Sequence, residues 1–68
     1  MHADYTPTPG SELRRRRKAL GAQQQDVARL LGLTRTSVYR IEQQPEVPVL
    51  VARRYLEALS QIAGGTAA

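Results

Sequence analysis

The chain has 68 residues, a formal charge of +4 and no cysteine, so it makes one domain at most, with a core thin enough that help from a second copy is expected. A disulfide framework and a cysteine-based zinc site are excluded, and the only histidine is His2. The opening "MHADYTPTPGSE" has no apolar run resembling a signal peptide, and no stretch reaches the roughly 18 apolar residues that span a bilayer, so the expectation is a soluble, cytoplasmic chain with no membrane partner.

Residues 1–10, with two prolines, two threonines and a glycine, show no periodicity and read as a flexible N-terminal tail. Ser11 is a candidate N-cap with Glu12 placed against the helix dipole, and Leu13, Arg16, Arg17 and Leu20 fall at helical spacing. The first predicted helix therefore runs over 11–20, stopped by Gly21. A second covers 23–31, poorly capped at its start, with Val27, Ala28, Leu30 and Leu31 apolar and Gly32 suited to the left-handed ending. Thr34 is the N-cap of a third helix over 35–43, in which Val38 and Ile41 face inward and Arg35, Thr36, Tyr39 and Arg40 outward. Pro45 and Pro48 mark a loop, and Pro48 opens a fourth helix to about 62. No strand alternation occurs, and residues 64–68 read as a frayed tail, which leaves 11–63 as the folded domain. Leu13, Leu20, Val27, Leu31, Leu33, Val38, Ile41 and Leu59 are the expected core.

The charge is local. From Arg14 to Arg40 eight basic residues accompany one acid, Asp26, giving +7, whereas residues 1–13 carry −2 and residues 41–68 carry −1. A localised basic surface favours a polyanion. Only Gly32 to Thr34 separate the second and third helices, and so short a glycine-containing turn makes them cross steeply, as in a helix-turn-helix. The third helix then projects with Arg, Thr, Tyr and Arg outward, a chemistry suited to a major groove, where Arg donates two bonds to guanine and a Thr methyl touches thymine.

The run "GAQQQDVARLLGLTRTSVYRIE", Gly21 to Glu42, resembles the Cro/C1 type of helix-turn-helix repressor domain, the XRE family. Gln24, Val27, Ala28, Leu31, Gly32, Leu33, Thr34, Val38, Ile41 and Glu42 fit its pattern, and the likeness extends over about 13–60. The resemblance implies an all-α, lambda-repressor-like DNA-binding domain of four to five helices with the helix-turn-helix at helices 2 and 3. It implies base reading by Arg35, Thr36, Tyr39 and Arg40, and phosphate contact by Gln24, Gln25, Thr34, Ser37 and Gln43, with Gln44 beside them. It also implies an internal ion pair of Arg17 with Glu42. Two departures stand out: Ala22 occupies a position usually held by a larger apolar residue, and Gln23 replaces a Thr or Ser cap. The fifth helix of many relatives is missing.

Within "RRRRK", Arg14, Arg15 and Lys18 are the candidates for added attraction to the duplex, the alternative being a merely solvated face. For Arg35, Thr36 and Arg40 the alternative is an ordinary polar helix surface, and the surrounding motif decides against it. In "PVLVARRYLEALSQIA" the apolar residues exceed what one face needs, so Val49, Leu50, Tyr55, Leu56, Leu59 and Ile62 are the candidate dimer surface, Leu59 doubling as core. A two-fold homodimer would place two recognition helices about one DNA turn apart and require an inverted-repeat operator.

The functional expectation is a double-stranded DNA-binding transcriptional repressor, autoregulating by its own concentration with no small-molecule ligand or cofactor. Free-standing domains of this size resemble phage or mobile-element regulators, including autorepressors of anti-CRISPR operons. They also resemble antitoxins, where "RRYLEAL" recurs, and an antitoxin whose main act is to cover a toxin protein is the rival reading. An RNA-binding helical module is a third, short of the aromatic residues that single-strand readers stack on bases. No nucleophile with a paired histidine, carboxylate pair or phosphate-cradling glycine loop is present, which argues against an enzyme.

Overall fold

Four α-helices carry most of residues 7–64, the part of the chain that the computed structural model describes. They are α1 Gly10–Ala19, α2 Gln24–Leu31, α3 Arg35–Gln43 and α4 Val49–Ala63. Among the described residues there is no strand, only an isolated antiparallel bridge between Thr8 and Val47. The all-α class, the four helices and the three-residue turn between α2 and α3 agree with the sequence reading. Gly32 makes that turn. Its φ of 71° ends α2 in the left-handed conformation, and the Leu33 N–H reaches back to the Ala28 carbonyl at 2.9 Å, satisfying a carbonyl the helix would otherwise orphan.

One core joins all four helices. Leu13 of α1, Val27 and Ala28 of α2, Val38 and Ile41 of α3, and Ala52, Tyr55, Ala58 and Leu59 of α4 are buried together with Val47 of the preceding loop. The small residues let α4 approach closely, and Tyr55, completely buried, is the largest side chain in the cluster.

Several expectations are corrected. The tail does not extend to residue 10. The Val47 N–H donates to the Thr8 carbonyl at 2.9 Å, and the Gly10 N–H donates to the Gln44 carbonyl at 2.8 Å. Helix α1 accordingly begins at Gly10, with Pro9 in the N-cap position and Ser11 inside the helix, because proline has no N–H to lose there and its φ suits the entry. A Cβ on Gly10 would overlap the backbone of Ile41 and Glu42, so glycine lets the start of α1 butt against the end of α3. The start of α2 is capped after all, since the Gln23 N–H donates to Asp26 Oδ2 at 2.9 Å, one half of a capping box. Leu20 and Leu33 are 43% and 44% exposed, because both follow the end of a helix and leave its buried face. Tyr55 and Leu59 are not available to a partner: they are 0% and 4% exposed inside the chain's own core. Gly64, placed in the frayed tail, closes α4 through its N–H to the Ser60 carbonyl at 2.8 Å. Residues 1–6, including His2, and residues 65–68 lie outside the described residues.

Candidate nucleic-acid interface

The outward stripe on α3 exists because its opposite face is fixed. Val38 is fully buried, Ile41 and Glu42 nearly so, and residues three and four apart share a helix face. Arg35, Thr36, Tyr39, Arg40 and Gln43 are left exposed. Thr34 starts the helix by accepting the Ser37 N–H at 3.1 Å, and the two hydroxyls also meet at 3.1 Å. Both side chains, candidates for phosphate contact, thus act as the cap in the isolated chain.

A depression of about 570 Å³ gathers three elements at the base of this stripe. Arg14 and Arg17 come from α1, Gln23, Gln24 and Gln25 from the start of α2, and Arg35, Tyr39 and Gln43 from α3. Residues from 14 to 43 are therefore brought to one surface. A neighbouring concavity of about 530 Å³ continues it along Ser11, Arg14, Gln43, Gln44 and Pro45. Thr36 and Arg40 lie outside the lining of both, on the projecting part of the helix.

The arginine run divides by environment. Arg14 lines both concavities. Arg15 grips Glu12 with two bonds, at 3.1 and 2.7 Å, and Arg16 reaches the same carboxylate at 2.9 Å. Those hydrogen bonds, from Arg15 first, hold the Glu12 carboxyl below its usual range. Arg16 lines a different groove, between α1 and α4, with Leu20, Leu56 and Leu59. Lys18 is exposed. Among the described residues the ion pairs are Arg15 and Arg16 with Glu12, Arg17 with Glu42 and Arg29 with Asp26. Arg14, Arg35 and Arg40 take part in none, so their charge is uncompensated on the side that carries the depression and the stripe.

Arg17, at the inner edge of the same depression, is committed to the interior. Its Nε donates to Glu42 Oε2 at 2.8 Å and its Nη2 to Oε1 at 3.2 Å, while Nη1 holds the Ala22 carbonyl at 2.9 Å. One guanidinium so ties α1, the α1–α2 connection and α3 together. Glu42 also accepts the Gln24 Nε2 at 3.0 Å and the Tyr55 hydroxyl. Burial pushes the Glu42 carboxyl up, but the hydrogen bonds from Arg17, Tyr55 and Gln24 outweigh it and leave the group below its ordinary value. Burial, reinforced by the bond to Glu42, pushes the Tyr55 hydroxyl far up.

The reading of the sequence missed three of these contacts: the Gln23–Asp26 cap, Gln24 on Glu42 and Tyr55 on Glu42. Asp three residues after Gln23 is capping-box spacing and was a usable signal. Tyr55 offered another, because a tyrosine drawn into an aliphatic core needs a partner for its hydroxyl. Among the described residues no group of three or more His, Cys, Asp or Glu could hold a metal ion, and no helix is long and apolar enough to cross a membrane.

A family model described as a helix-turn-helix domain matches residues 10–68. No curated protein and no solved structure matches the chain.

Proposed function

The chain belongs to the helix-turn-helix domain family, and from that premise we propose that it is a sequence-specific transcriptional repressor of the Cro/C1 (XRE) type. Helix α3 enters the major groove of double-stranded DNA, with Arg35, Thr36, Tyr39 and Arg40 against base edges. Arg14, Gln24, Gln25 and Gln43 meet the sugar-phosphate backbone, with Arg15 and Lys18 adding attraction at longer range. Thr34 and Ser37 bring the capped start of α3 to a phosphate. The observation that carries this reading is the uncompensated cationic stripe on α3 beside a depression edged by Arg14 and four glutamines.

The protein acts as a homodimer on an inverted repeat. What supports pairing is the outer side of α4, where Val49 and Leu50 are 50% and 68% exposed and a groove of about 400 Å³ carries Val49, Ala52, Leu56, Arg53 and Glu57. Arg53 and Glu57 flank the apolar residues on one face, so two such helices docked antiparallel oppose unlike charges, a self-complementary arrangement. Ile62, half-buried, lies outside this groove and lines a separate concavity with Leu30 of α2. With residues 10–64 as the DNA-binding and dimerising domain, the protein represses its own operator as its concentration rises. That suits a cytoplasmic autoregulator of a phage or mobile element, as in anti-CRISPR operons.

The same exposed apolar side of α4 favours a second reading, an antitoxin that covers a toxin protein there. Selection from random duplexes with purified protein tests the first reading. Recovery of an inverted repeat is the expected result, and retention of unrelated sequences with equal strength would overturn it. Co-purification with a second chain that displaces the homodimer would establish the antitoxin reading.

A further inference from the structure

We propose that Tyr55 is a positioning residue for the DNA-facing surface, acting from the core through Glu42 on Gln24; this rests on the reading of the depression as a phosphate-contacting surface. Glu42 Oε2 accepts from Arg17 Nε and the Tyr55 hydroxyl, and Oε1 accepts from Arg17 Nη2 and Gln24 Nε2. Each carboxylate oxygen therefore holds two donors, from three different helices. Gln24 is the only one of these partners that is neither buried nor charged. It is half-buried at the first position of α2, where it lines the depression.

A side-chain amide nitrogen carries two hydrogens. With one committed to Glu42, the other is held in a fixed direction, available to a phosphate oxygen in the depression beside Arg14. The direction is only as fixed as the carboxylate plane, because the terminal torsion of a glutamate is broad when nothing restrains it. Arg17 grips both oxygens from one side. Tyr55, rising from α4, holds Oε2 from another, so removing its hydroxyl lets the plane turn and Gln24 lose its aim. Helix α4, which touches no base in the proposed complex, thereby sets a backbone contact made by α2.

The arrangement predicts a particular non-additivity. Tyr55→Phe keeps the buried ring and should weaken binding to a random-sequence duplex at low salt by about two- to tenfold, the scale of one hydrogen bond. In a Gln24→Ala background the same substitution should have no further effect. A merely structural tyrosine would lower affinity by the same factor in both backgrounds, and that result would overturn the proposal. Gln24→Ala, at a half-buried helix start, keeps the test decisive even where Tyr55→Phe fails to fold: unchanged duplex affinity for it also overturns the proposal. Side-chain amide resonances of Gln24 supply a readout without DNA. They should be shifted and slowly exchanging in the unaltered chain and move toward free-amide values in Tyr55→Phe, and resonances that stay put refute the positioning itself. If the unaltered chain binds no duplex, the proposal falls with the functional reading, and an intact amide response to Tyr55→Phe identifies that reading as the part that failed.

Discussion

Replacing Glu42 by alanine removes the one buried anion among the described residues and leaves Arg17, 8% exposed, without a counter-charge. Breaking a buried pair from one side typically costs about 3–5 kcal/mol, and a chain of 68 residues has roughly 3–10 kcal/mol to lose. Glu42→Ala should therefore be unfolded or close to it at room temperature. The cause assigned is the stranded cation and donors, not the missing attraction, so removing them together should restore stability. The triple variant Arg17→Met, Glu42→Leu, Tyr55→Phe strands no buried charge and no buried hydroxyl. It gives up the bond from Arg17 Nη1 to the Ala22 carbonyl and that from Gln24 Nε2 to Glu42, worth about 1 kcal/mol each. It should thus lie within roughly 1–2 kcal/mol of the unaltered chain by the same reckoning. Urea unfolding followed by far-UV circular dichroism reads both. A triple variant less stable than Glu42→Ala alone would refute the reasoning, as would a Glu42→Ala midpoint close to that of the unaltered chain.

Both ends of the pH scale should act on this cluster. Glu42, depressed below 4.5, contributes stability that is complete above that value and is lost as pH falls through its lower folded value. Tyr55, raised from 10.0, contributes stability that is complete below pH 10.0 and declines as pH rises beyond it, so Tyr55→Phe should flatten the alkaline limb of a thermal-unfolding profile. Arg14→Ala should reduce the slope of log affinity against log salt by about 1, whereas Arg16→Ala, on the other groove, should leave it unchanged; equal slopes would contradict the division of the arginine run. Arg35→Ala or Arg40→Ala should lose roughly 1–3 kcal/mol of discrimination at one or two base positions, read by competition of selected against scrambled duplex. Leu50→Glu or Leu56→Glu should give a monomer by sedimentation with its helical content intact, and an unchanged dimer would move the interface elsewhere.

The helices and the turn were legible in the sequence because each carries its own local signal: Gly32 for a left-handed ending, Thr34 for a cap, Val38 and Ile41 three residues apart for an inner face. The outward set on α3 was legible for the same reason, as the remainder of that periodicity. What sequence spacing did not reveal lies at the ends of elements and between distant ones. Leu20 and Leu33 continue an apolar pattern one and two residues past the point where the helix that gave it meaning has stopped. Tyr55 and Leu59 look like surplus on α4 until the core is assembled, when the small Ala52 and Ala58 bring them inside. The Thr8–Val47 bridge and the Gly10–Gln44 bond join residues more than thirty apart through backbone groups, which leave no trace in side-chain composition.

That second bond limits how this protein can be re-engineered. Because Gly10 fastens the beginning of α1 to the chain just after α3, residues 10–44 form a closed ring, and Arg17 and Gln24 brace it from within. A recognition segment excised as a peptide, or grafted onto another scaffold, would leave behind the parts that give it shape. New target specificity has to be written one outward side chain at a time, on a ring left whole.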